Sequence, residues 1–92
     1  MAKKFAYRDK YGILHATESE GTAKAFAADG KVVAYEGESG GGYPVIDGKC
    51  IVDEGEGGIY LTDYSHDKGR GKYAASGDKL RKAQEFVKGL GL

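Results

Sequence analysis

Between Tyr64 and Tyr73 three cations, Lys68, Arg70 and Lys72, alternate with Gly69 and Gly71. Side chains at every second position of an extended chain point the same way, so these three would present one positive face. The glycines would let backbone N–H groups approach an anion closely, and a helix N-terminus a few residues on would add positive potential. Tyrosines are able to stack bases. Lys68, Arg70, Lys72, Tyr64 and Tyr73 therefore make a candidate anion-binding set for a phosphate ligand or a single-stranded nucleic acid. The plainer reading is a solvated loop whose charges keep an edge strand soluble.

The same stretch carries oxygen ligands. Asp63, Ser65 and Asp67 occupy the first, third and fifth positions of a calcium loop. The pattern then fails, because Lys68 stands where glycine is needed and Ala74 where a bidentate glutamate belongs. His66 has no second histidine at ligand spacing. No metal and no cofactor is expected. The stretch from Gly42 to Cys50 departs from a phosphate-binding P-loop: it has one residue too many between its glycines and a cysteine in place of the magnesium-binding hydroxyl.

Catalytic constellations are equally thin. Cys50 is followed by Ile51 and Val52, which predicts a small buried hydrophobe rather than a nucleophile. His15 alternates with strand residues and reads as a partly exposed surface histidine. Asp53, Glu54 and Glu56 lie in a glycine-rich stretch with nothing to desolvate them, so they read as solvated loop carboxylates. No catalytic residue is assigned, and the chain is not expected to be an enzyme.

Charge is sorted along the chain although 14 basic and 14 acidic residues cancel overall. Residues 36–63 hold seven acids and one base, whereas residues 64–92 hold seven bases and three acids. Such asymmetry suits patches that meet a partner or each other across an oligomer. The expected function is therefore a protein-interaction or self-association module, with a homodimer as one form. The alternative is polyanion binding through the basic glycine-rich loop 64–73. Nucleic acid is not favoured, since nothing global about the charge points to it.

The elements that must position these groups belong to a single 92-residue α+β domain. One cysteine excludes an internal disulfide, and no apolar run is long enough for a membrane span or a signal-peptide core, so the chain reads as cytoplasmic. The C-terminal Gly-Leu-Gly-Leu carries no lipidation signal. Phe5–Arg8 and Ile13–Ala16 flank a turn at Asp9–Gly12. With Arg8 opposite Ile13, the apolar face would hold Phe5, Tyr7, Leu14 and Ala16. A helix follows from Glu20 to about Ala28, with Ala23, Phe26 and Ala27 on its inner side and Thr17 or Ser19 as its cap. Val32–Tyr35 is a third strand, and Gly37–Gly42 is the most flexible loop by composition.

Tyr43–Ile46 and Cys50–Val52 surround Asp47-Gly48, the strongest hairpin signal in the chain. A two-residue turn pairs Val45 with Cys50, and a three-residue turn with a bulge pairs Val45 with Lys49. Pro44 favours an edge strand because it cannot donate a ladder bond. Ile59–Tyr64 is a sixth strand, and a second polar loop spans Ser65–Lys72. A final helix from about Asp78 to Lys88, capped by Ser76 or Asp78, buries Leu80, Ala83, Phe86, Val87 and Leu90. The order is ββαββββα, an antiparallel or mixed sheet with two helices packed on one face.

Overall fold

Two strands paired through a five-residue turn begin the chain. In the computed structural model, which describes residues 2–39, 42–63 and 71–92, β1 spans Ala2–Arg8 and β2 spans Leu14–Thr17. Arg8 pairs with Leu14, not with Ile13. The reason lies in Asp9, whose Oδ1 accepts the backbone N–H groups of both Tyr11 and Ile13 and holds a longer turn. That single step moves Leu14 and Ala16 onto the face of Ala6, and Tyr7 onto the face of His15. The predicted apolar set of Phe5, Tyr7, Leu14 and Ala16 is thereby divided between two faces.

Helix α1 (Glu20–Phe26) starts at Ser19, whose Oγ accepts the Thr22 N–H at 3.2 Å. It ends earlier than the spacing predicts, because Ala27 is already extended. Ala23 is its buried residue, and Phe26 is left 64% exposed rather than packed inside. Strand β3 (Val33–Gly37) then pairs antiparallel with β1, giving the order β2-β1-β3.

The second sheet has the order β4-β5-β6-β7. Strand β4 (Val45–Ile46) is a short edge, as Pro44 predicts, and Val45 pairs with Cys50 of β5 (Lys49–Asp53). The two-residue alternative is thus the one adopted. Asp47 and Gly48 both take positive φ, 51° and 76°, as the turn that matches strand twist requires. Strand β6 (Ile59–Thr62) pairs with β5, and β7 (Tyr73–Ala74) adds a short strand that periodicity did not predict. Helix α2 (Gly77–Leu90) closes the chain, and Gly91 ends it in the left-handed conformation.

Backbone bonds join the two sheets. The Ala16 N–H donates to the Gly42 carbonyl at 3.3 Å, and the Ile51 N–H donates to the Pro44 carbonyl at 2.8 Å. Residues 42–44 are therefore a stitch between the outer edge of β2 and β5. Helix α1 packs against β1 and β2, and α2 covers the face of the first sheet that carries Ala6, Leu14, Val33 and Tyr35. The fully buried alanines Ala6, Ala16 and Ala23 allow α1 to sit close to β1 and β2. Leu90, Phe86 and Val87 of α2 pack with Ala6, Leu14, Val33 and Tyr35. Further along α2, Ala83 and Phe86 reach Ile51 and Leu61 of the second sheet. No helix among the described residues is long and apolar enough to cross a membrane.

Tyr35 shows what this packing does to a polar group. Its ring meets Phe86 edge-on at 5.3 Å, and Gly37 leaves the room it needs, since a Cβ there would come within 2.5 Å of the ring. Burial pushes the Tyr35 hydroxyl up to about 12. The neutral phenol is thus favoured by folding, which stabilises the protein fully below pH 10 and progressively less as pH rises from there towards the folded value. Thermal melts between pH 9 and 12 are expected to show a steeper alkaline loss in the wild type than in Tyr35→Phe. Parallel curves would mean that the hydroxyl is not desolvated.

Candidate functional site

Where α2 crosses the second sheet, the side chains do not fill the space between them. Ala83 is the small residue on the inner stripe of α2 at this crossing, and it leaves a cavity of about 380 Å³ above β4, β5 and β6. Its floor is apolar: Ile46, Ile51, Leu61 and Ala83. Alternation along β5 and β6 places Ile51 opposite Leu61, so both point up into this space. The size falls within the range of binding pockets, and the space is partly open to solvent.

The rim is charged. Asp47 and Lys49 come from the β4–β5 hairpin, and Asp78, Lys79 and Lys82 come from the first turns of α2. Lys82 reaches across to Asp47 at 3.2 Å and ties the helix to the hairpin turn. Lys49 pairs with Asp63, and that hydrogen bond holds its ammonium above the usual lysine range, with the Asp63 and Tyr73 charges adding to the effect. These pairs are exposed, so each is worth little and yields readily to a competing group.

Register decides what happens to the residues singled out from the sequence. Tyr73 pairs with Leu61, which puts its ring on the cavity side of the sheet, close to Lys49. Its neighbour Lys72 points the other way. The Lys72 ammonium sits 4.6 Å from the centre of the Tyr60 ring and pairs with Glu54 at 2.6 Å. Lys72 and Tyr73 therefore serve opposite faces, and Lys72 is engaged within the molecule. Tyr64, Lys68 and Arg70 lie outside the described residues, as do Ser65, His66 and Asp67 of the calcium-like pattern. Among the described residues no group of three or more His, Cys, Asp or Glu is placed to hold a metal ion.

One sequence reading is corrected here and a second is extended. Asp53 is not a solvated loop carboxylate: it ends β5, is 4% exposed, and meets Arg8 at 3.1 Å. Arg8 also donates to the Gly12 carbonyl, so one guanidinium joins the first hairpin to the second sheet. His15 is more than a partly exposed surface residue. Its ring is stacked between Tyr7 at 5.3 Å and Tyr43 at 5.6 Å, and both ring nitrogens have partners. Nδ1 lies 3.0 Å from the Gly42 carbonyl oxygen and Nε2 lies 2.7 Å from Asp9 Oδ2. Burial alone would raise the Asp9 carboxyl. The hydrogen bond from His15, the backbone N–H groups of Ile13 and Tyr11, and the His15 charge together hold it below the ordinary carboxylate value.

Cys50, as expected, is a buried thiol; it packs with Tyr43 and Val52. Residues that sequence reasoning missed, Arg8, Asp53 and the cavity floor, depend on pairings between distant segments. Comparisons with protein-family models, curated proteins and solved structures find no match to this chain.

Proposed function

We propose that this protein is a non-enzymatic self-association module, in which a large apolar side chain of one copy enters the cavity of another between α2 and the second sheet. One observation carries the reading. The same molecule holds an open apolar-floored cavity and an exposed phenylalanine, Phe26, at the end of α1. An exposed apolar side chain of this size costs nothing alone, but a preformed seat of matching chemistry makes it an anchor. The charged rim supports the same reading, because two acids and three lysines line the opening and suit a surface of mixed sign.

Transfer of one phenyl group from water supplies roughly 1.5–3 kcal/mol, so the contact is weak unless a twofold pairing makes it twice. Sedimentation equilibrium from tens of micromolar to millimolar protein is expected to show reversible dimerisation. Phe26→Ser and Ala83→Phe, which removes the anchor or fills the seat, are each expected to weaken it by tenfold or more. A monomer at millimolar concentration in low salt would end this reading. Dimerisation unaffected by both substitutions would move the interface elsewhere.

A further inference from the structure

His15 stands at the stitch between the two sheets, and its surroundings are chemically one-sided. The Gly42 carbonyl can only accept, and it already takes the Ala16 N–H while facing His15 Nδ1. Asp9 Oδ2 belongs to a carboxylate held in its ionised form, and it faces Nε2. An imidazolium donates from both nitrogens and satisfies both acceptors. A neutral imidazole carries one N–H, so it must leave either Gly42 or Asp9 facing a lone pair.

We propose that His15 is a proton-operated clamp: charged, it holds the segment at Gly42 against the first hairpin, and neutral, it keeps its one N–H on the Asp9 carboxylate, the stronger acceptor, and releases Gly42. Among the described residues, Asp9 is the charged group in contact with the ring. Tyr7 covers it from β1, Asp9 from the turn, and Tyr43 from the stitch. Behind Tyr43 stands Lys72, already paired with Glu54, and Cys50 lies beside Tyr43 in the buried cluster. The stitch runs directly into β4, which supplies Ile46 to the cavity floor. If self-association uses that cavity as proposed above, acid strengthens it; the clamp itself stands or falls without that reading.

The test uses the free protein at a concentration where it is monomeric. Nitrogen-detected NMR follows the His15 ring, while hydrogen exchange follows the Ala16 amide, corrected for intrinsic exchange. The amides of Ala16, Gly42 and Tyr43 are expected to shift together with the ring. Protection at Ala16 is expected to fall roughly two- to tenfold on deprotonation, the worth of one hydrogen bond. Asp9→Asn supplies the decisive control. The introduced amide donates to Nε2 of the neutral ring while Nδ1–H still reaches Gly42, so the seam stays closed and its pH dependence disappears. Ala16 protection indifferent to the charge on His15, or an unchanged pH dependence in Asp9→Asn, would overturn the clamp.

Discussion

Arg8→Ala is expected to lower the unfolding free energy by about 3 kcal/mol. Asp53 is almost fully buried, and Arg8 is its charge partner at 3.1 Å. Truncating one member of a buried pair costs about 3–5 kcal/mol, because the remaining charge stays desolvated without compensation. The lower end applies here, since a quarter of the Arg8 side chain is exposed and water softens the loss. A domain of this length holds roughly 5–14 kcal/mol in total, and each kcal/mol lost shifts the melting temperature by roughly 4–8 °C. Urea titration with an unchanged slope would give the difference directly.

Arg8→Lys is informative beside it. The guanidinium uses Nη1 for the Gly12 carbonyl and Nη2 for Asp53 and the Leu92 carbonyl. An ammonium is a point charge without that fork, so it is expected to recover the ion pair but not the link to the hairpin turn. If Arg8→Ala costs less than about 1 kcal/mol, the pair behaves as an exposed one and the burial of Asp53 is not maintained in solution.

Lys4→Ala is expected to cost a similar amount, about 3 kcal/mol, for a different reason. Lys4 lies in β1 directly opposite Tyr35 of β3, and it is 0% exposed. No buried side-chain nitrogen or oxygen among the described residues lacks a hydrogen-bond partner, so truncation strands a polar group as well as emptying the space of a four-carbon stem. Lys4→Met separates these terms. It fills most of the volume without the charge, and volume-conserving changes usually cost less than about 1.5 kcal/mol. Equal losses for both variants would show that the ammonium dominates. A small loss for both would mean that β1 shifts to expose this position.

These two positions also show where sequence reading stops. Lys3 and Lys4 are chemically identical neighbours, and alternation says only that they point to opposite sides. Which of them enters the core depends on where α2 and β3 come to rest. The hairpin at Asp47-Gly48 is the opposite case: both turn residues must take positive φ, few residue types do so, and the pair was legible from two letters. The body of α2 was legible too, from its spacing of apolar residues, although the helix runs on past Lys88 to Leu90.

The first hairpin failed in register by one residue because Asp9 organises its turn through its side chain, which strand periodicity does not report. Phe26 failed for a related reason. Helical spacing placed it inside, yet α1 ends there, so the turn that would have carried it onto the sheet is not made.

By itself, the sequence determined the α+β class, the order of the main elements, the hairpin at Asp47-Gly48, the edge character of the Pro44 strand and the burial of Cys50, while the choice of the two-residue turn came from the structure. Each of these follows from constraints within a few residues: a permitted φ, a missing N–H, a period of two or of 3.6. Only the tertiary structure decided the cavity, the Arg8–Asp53 pair, the buried Lys4 and the placement of His15 between two tyrosines. Those depend on segments as much as 45 residues apart meeting in one register, and the energy that selects that register is shared across the whole packed core.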